Sequence, residues 1–229
     1  MTYTYSSNDF SKKELKELKK KSKDGDAESQ YLLADYYEDG LVIDHKVMLQ
    51  PNAKKAFKLT KLAYENGNSA ALIRYANYLA VGEVCEKNQR LAIKLYQQAI
   101  ADKDSLGAVN LASLYSRNGN YKKAFEHYVL GEQLGYHCSF ELGLSYYYGL
   151  GTPQDITKAI KHFKKILNEE YSYSEYEVEE TNFIMGKLYL EGIHVAKSIS
   201  KAIIHLKLAN RENDHRSAQD LLFMLQETH

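Results

Sequence analysis

Large apolar and very small residues recur along this chain three and four positions apart, and the pattern returns at matched intervals. Five stretches, starting at Ala27, Ser69, Ser105, Tyr136 and Glu179, each contain a large residue followed by a very small one. The pairs are Leu33-Ala34, Tyr75-Ala76, Leu111-Ala112, Leu142-Gly143 and Met185-Gly186. Three positions after the small residue stands Tyr37, Leu79, Tyr115, Tyr146 or Tyr189, and three further on Gly40, Gly82, Asn118, Gly149 or Gly192. Positions three and four apart share one face of an α-helix. Glycine or asparagine accepts the left-handed conformation that ends one. Each stretch therefore predicts a helix with an apolar stripe and a C-terminal stop.

A second element follows each stop, marked by Ala56, Ala92, Ala124, Ala159 and Ala202. The spacing from stop to alanine is 16, 10, 6, 10 and 10 residues, and the repeats are 42, 36, 31, 43 and 36 long. The basic unit is 36 residues: the first repeat has six extra, expected as a long loop, the third is truncated, and the fourth has seven extra. Small residues on both elements let two antiparallel helices nest closely. Helices of about 13 residues are marginal alone in water, so neighbouring pairs must stack to bury their stripes. The expected fold is an all-α solenoid of about five helix-pair repeats, forming one domain over 1–229. The repeats span 27–68, 69–104, 105–135, 136–178 and 179–214. A capping helix is expected at 9–26, with a thin apolar face of Phe10, Leu15 and Leu18, and another at 215–229.

The run Ala27-Glu28-Ser29-Gln30-Tyr31-Leu32-Leu33-Ala34-Asp35-Tyr36-Tyr37-Glu38-Asp39-Gly40, with the later Lys55-Ala56, resembles the Sel-one-like repeat, a cousin of the tetratricopeptide repeat. So do Leu142-Gly143, Tyr146, Gly149-Leu150-Gly151, Asp155 and Lys158-Ala159 of the fourth repeat. The resemblance covers about 27 to 227. It implies a right-handed superhelix and an adaptor or scaffold role, with a concave groove presented to protein partners. Bacterial members of the family include host-interaction, signalling and toxin-neutralising proteins. The long first loop, the short third repeat and the tail of the fourth depart from the pattern.

Composition narrows the function. Thirty basic residues balance thirty acidic ones, whereas a domain that grips a phosphate backbone carries an excess of Lys and Arg. A nucleic-acid-binding solenoid is thus disfavoured. Cys85 and Cys138 stand in different repeats and form no disulfide framework, which suits free thiols in a reducing compartment. No secretory-type start and no apolar run of about 18 residues is present, so a cytoplasmic protein without a membrane span is expected.

Motifs for catalysis are few. Ser198-Ile199-Ser200-Lys201 matches the SxxK spacing of serine acyl-enzymes, the basis for an alternative reading as a hydrolase of the β-lactamase or penicillin-binding kind. Yet Lys201 precedes Ala202 just as Lys55, Lys123 and Lys158 precede their alanines, so the repeat explains the match. Cysteine-rich relatives of that description carry two cysteines per repeat, which this chain lacks. His127, His162 and His205 share one slot, filled elsewhere by Leu59 and Leu95, and are expected to pack rather than bind metal. No catalytic residue, metal or cofactor is assigned.

The partner-facing side follows from the core slots. Positions two before, one after and five after each small residue point away from the core of the first helix. In related superhelices that side lines the concave face. It carries Leu32, Asp35 and Asp39; Arg74, Asn77 and Val81; Asn110, Ser113 and Arg117; Glu141, Leu144 and Tyr148; Ile184, Lys187 and Glu191. The polar members nominated for contact are Asp35, Asp39, Arg74, Asn77, Asn110, Ser113, Arg117, Glu141, Tyr148 and Lys187. Mixed charge, amide and scattered apolar anchors suit a protein or peptide better than an apolar small molecule, and Arg74 and Arg117 would help orient it. Two further elements are flagged: seven lysines over 12–23, and the acidic, tyrosine-rich stretch 168–180, read as a loop or an extended second helix.

Overall fold

The computed structural model describes residues 5–6, 11–169 and 172–227. The chain is 71% helical, with twelve helices among the described residues. It divides into two compact units, 1–111 and 112–229. The boundary falls inside one helix.

The first unit begins with β1 (Tyr5–Ser6), α1 (Lys12–Lys23) and α2 (Ala27–Asp39). Then come β2 (Leu41–Ile43), β3 (Lys46–Leu49), α3 (Ala53–Glu65), α4 (Ala70–Val81), α5 (Gln89–Ala101) and the start of α6 (Ser105–Arg117). The second unit takes the end of α6, then α7 (Tyr121–Gln133), α8 (Ser139–Tyr148), α9 (Ile156–Asn168), α10 (Glu175–Glu191), α11 (Ile199–Ala209) and α12 (Arg216–Glu227). Even-numbered α2 to α10 are the first helices of the repeats, and α3 to α11 the second.

The small residues do what their spacing predicts. Ala34, Ala76 and Ala112 are 0% exposed, as are Ala56, Ala92, Ala159 and Ala202. Gly143 and Gly186 are buried as well. A Cβ on Gly143 would lie 2.6 Å from Phe163 Cε1, and one on Gly186 2.9 Å from Leu206 Cγ. Helix α8 thus rests its backbone on α9, and α10 on α11.

Loops of different length end in one device. Asn52, Asn88, Asn120, Asp155 and Ser198 cap the second helices, each side chain accepting from the backbone N–H three residues on. The backbone N–H of each cap donates to the carbonyl of Tyr37, Leu79, Tyr115, Tyr146 or Tyr189, at 2.6 to 3.0 Å. Side chain and backbone together satisfy donors that a helix start leaves open. They also pin every second helix to the same point on its first helix.

Two expectations are corrected. The six extra residues of the first repeat form a β-hairpin, not a loop: β2 pairs antiparallel with β3 across Asp44 and His45, both at positive φ (49° and 60°). Two consecutive left-handed residues give the turn whose twist suits a tight hairpin. Leu41, Ile43 and Leu49 point inward and join Leu15, Leu18 and Leu33 in one buried cluster, while β1 pairs parallel with β2. The acidic stretch 168–180 does not extend the second helix, since α9 ends at Asn168. From Ser174, which forms a capping box with Glu177, it adds a turn to the first helix α10, making 17 residues. Glu170 and Tyr171 lie outside the described residues. On the C-terminal helix α12, Ala218 is buried, while the large apolar Phe223 and Met224 are 61% and 52% exposed. At the other end α1 buries Leu15 and Leu18 and leaves its lysines in solvent; Phe10 lies outside the described residues.

Candidate functional site

In the first unit, α2, α4 and the start of α6 enclose a half-open cleft of about 760 Å³. Its apolar floor includes Ile73, Val81, Val84 and Leu106; Val81 and Leu106 are 42% and 44% exposed. Its polar rim includes Tyr31, Glu38, Arg74, Asn77, Tyr78, Glu83 and Asp104.

Arg74 anchors the rim through an internal network. Its guanidinium lies 2.5 Å from Asp35 and 3.8 Å from Glu38. It donates to the Tyr31 hydroxyl at 2.9 Å and stacks over the Tyr31 ring, 4.3 Å from the centroid. Glu38 in turn accepts from the Tyr78 hydroxyl. Burial opposes the charge on Arg74, and Asp35 and Glu38 outweigh it, raising the pKa. Burial and the bond to Glu38 also push the Tyr78 phenol up, so it stays a donor. Tyr78 rests edge-on against Phe57, ring centroids 5.5 Å apart. Asn77 accepts from the buried Tyr96 hydroxyl at 2.7 Å.

Of the residues nominated from sequence, Asp35, Arg74 and Asn77 meet here, and all three already hold partners within the chain. Asp39 sits on the exposed end of α2, beside a smaller hollow of about 270 Å³ that it lines with Leu32, Asp35 and Tyr36. Asn110 is half-buried on α6. The other five belong to the second unit. Ser113 is 3.4 Å from the Tyr128 hydroxyl, and Arg117 is exposed at the end of α6. Glu141 is half-buried, its carboxyl raised by burial and by Glu177. Tyr148 is 56% exposed. Lys187 lies over the rings of Phe183 and Tyr147, 5.6 and 6.0 Å from their centroids. Ile184, read as facing the partner, is 1% exposed and belongs to the core, because α10 packs on α9 as well as on α11.

Sequence reasoning missed Tyr31, Glu38, Ile73, Glu83, Val84 and Leu106. Tyr31 carried a signal: it stands a helical turn or less from a marked position on the outward face. Val84 and Leu106 lie in or just after loops, where periodicity is silent.

The SxxK match resolves into a helix cap. Ser198 Oγ accepts from the Lys201 backbone N–H at 3.3 Å, while the Lys201 amine lies over the Tyr189 ring, 5.4 Å from its centroid. The lysine is drawn to the tyrosine, not to the serine. The same arrangement recurs with Lys55 on Tyr37, Lys123 on Tyr115 and Lys158 on Tyr146. One turn later on the second helix, His127, His162 and His205 pack on these same tyrosines, with centroids 5.3, 5.8 and 5.4 Å apart. No metal-binding group of three ligands occurs among the described residues.

This packing has a pH signature. Burial lowers the pKa of His162 and of His205, and nearby lysines add to it. The unfolded chain, titrating near the ordinary value of about 6.5, then binds protons that the folded chain refuses. Stability is expected to fall as pH drops through about 6.5 and to level off below the folded pKa values. Urea midpoints between pH 7.5 and 5.5 measure this. The double variant His162→Leu/His205→Leu, which copies the leucine of other repeats, should flatten the slope.

The Sel1 repeat profile matches residues 27–68, 69–104, 106–136, 137–168 and 180–214, most of the chain. The chain belongs to the Sel1 repeat family. Sel1 repeat proteins generally act in protein–protein interaction. Solved structures share the fold. A protective antigen of uropathogenic Escherichia coli with an SLR fold superposes with a TM-score of 0.70 at 20% identity, over 93% of this chain and 44% of its own. This Sel1 chain therefore spans less than half of that antigen. A Sel1 repeat protein from Oxalobacter formigenes gives 0.64 at 19% identity, over 87% of this chain and 79% of its own. Among the described residues no helix is long and apolar enough to cross a membrane.

Proposed function

We propose that this Sel1 repeat protein is a non-enzymatic adaptor, scaffold or regulator that holds a polypeptide on the first-helix face of its first unit. The observation that carries this reading is the cleft between α2, α4 and α6. It combines an exposed apolar floor with a rim of hydrogen-bonding groups already fixed by internal contacts. A pre-ordered surface loses little entropy when a partner arrives. A half-open trough with apolar anchors suits an extended or helical segment, whose side chains enter at intervals. A toxin-neutralising or effector-type role is one form this binding could take. The two free cysteines favour a reducing compartment such as the cytoplasm.

The test is site-specific photo-cross-linking. A benzophenone side chain at Val81 or Leu106 is expected to capture a defined polypeptide in native cells, and one at the exposed Lys94 of α5 is not. Equal capture at all three positions, or capture at Lys94 alone, overturns this location of the site.

A further inference from the structure

We infer that the occupant of the first-unit cleft is a segment of a separate protein that carries lysine or arginine beside its apolar anchors. This rests on the cleft being the polypeptide-binding site and specifies the chemistry of what enters it.

The sign of the rim decides the matter. By sequence, Arg74 is a free cation, able to receive a carboxylate from a peptide. In the structure it is committed: Asp35 and Glu38 both lie within ion-pair distance, and Tyr31 takes both a hydrogen bond and the face of the guanidinium. An acidic residue entering the cleft would have to displace one of these contacts. It would also meet three carboxylates on the rim, Glu38, Glu83 and Asp104. Arg74 is the one cation among the residues lining the cleft, and two carboxylates already share it.

A cationic residue meets the opposite situation. Glu83 makes no ion pair among the described residues. Asp104 uses one carboxylate oxygen to accept from the Leu106 backbone N–H at 2.9 Å and keeps the other for a ligand. Both stand beside Val84 and Leu106, so a lysine or arginine can reach a carboxylate while its aliphatic stem and a neighbouring apolar side chain cover the floor. Long-range attraction by the same carboxylates would steer such a segment and fall with salt.

Two fluorescein-labelled peptides of the same length test this, one alternating leucine with lysine and the other leucine with glutamate. Binding to the full chain is followed by fluorescence anisotropy at low and at physiological salt. The lysine peptide is expected to bind at least about tenfold more tightly. The variant Glu83→Gln/Asp104→Asn, which keeps the side-chain shapes and the cap on α6, should weaken it about tenfold. A charge-matched control, Glu126→Gln/Asp220→Asn, lies outside the cleft and should weaken it far less. Leu106→Gln should weaken binding of either peptide that uses the floor.

If the glutamate peptide binds as tightly or better and Leu106→Gln abolishes that binding, the assigned charge is wrong while the polypeptide cleft stands. If the lysine peptide binds but the control weakens it as much as Glu83→Gln/Asp104→Asn does, the attraction is general and the inference fails. If Leu106→Gln affects neither peptide, the cleft itself is not the site. Self-association of the unliganded chain that Glu83→Gln/Asp104→Asn abolishes would make the lysine-rich α1 of a second copy the occupant, and would overturn the assignment to a separate protein.

Discussion

Replacing Gly143 by leucine is expected to cost about 3 kcal/mol of unfolding free energy and to lower the melting temperature by roughly 6–12 °C for a chain of this size. The reason is local. Gly143 lies in the middle of α8 with its Cα against the ring of Phe163 on α9, and even a methyl group would approach to 2.6 and 2.9 Å of two ring carbons. Phe163 is 0% exposed and sits in a cluster with Ile160, Ile166, Ile184, Met185 and Leu188, so the ring has nowhere to turn. Helix propensity alone would favour alanine over glycine here by about 1 kcal/mol. The clash is expected to outweigh that gain, so Gly143→Ala should also destabilise.

A rank order sharpens this prediction. Gly186 has the same place in the next repeat, but its added Cβ would meet Leu206 at 2.9 and 3.0 Å. A leucine can change rotamer where a flat ring must move as a body. Gly186→Ala should therefore cost less than Gly143→Ala. Thermal melts of the two variants, monitored by circular dichroism, decide it; a larger loss at Gly186 would show that α8 and α9 are not held by this ring.

The second large effect is expected at Arg74. Arg74→Ala should lose about 2 kcal/mol, between the small value of an exposed ion pair and the larger one of a fully buried pair. The guanidinium is 22% exposed, while its partners Asp35 and Glu38 are 37% and 34% exposed, so the network is neither solvated nor sealed. Removal leaves two neighbouring carboxylates unneutralised and strips the stacked partner from Tyr31. A double-mutant cycle with Asp35→Asn isolates the pair: a coupling of about 1 kcal/mol or more is expected by denaturant unfolding. A coupling near zero would mean that Asp35 does not hold the arginine, leaving Glu38 and Tyr31 as its partners.

The consequences of these two positions differ for function. Gly143 belongs to the scaffold. Arg74 belongs to the cleft rim, and a loss of binding in Arg74→Glu would not by itself identify it as a contact, because the same change breaks the internal network. Binding variants are better placed at Glu83, Asp104 and Leu106, which line the cleft without bracing α2 against α4.

The repeat was legible because backbone approach needs small residues. Ala34, Ala56, Ala76, Ala92, Ala112, Ala124, Ala159 and Ala202 each had to be small wherever two helices nest, and a fixed geometric need leaves a fixed interval in the chain. The glycine stops follow likewise: Gly82, Gly149 and Gly192 adopt the left-handed conformation that side chains rarely enter. The partner-facing side was readable only as a set of positions, since a helix that shows one face to the core must turn another away.

What the sequence determined by itself, then, is the helix pairing and the glycine stops, which depend on residues close together along the chain. The tertiary structure decided the rest. The hairpin at 41–49 rests on a short alternation and on Asp44 and His45, residues that enter positive φ less readily than glycine, so only its packing against Leu15, Leu18 and Leu33 establishes it. The charge of the cleft depends on contacts between residues about 40 positions apart, such as Tyr31 and Arg74, and between Glu38 and Tyr78. Periodicity reports which way a side chain points, but whether its charge is already spent is settled by which neighbour reaches it through space.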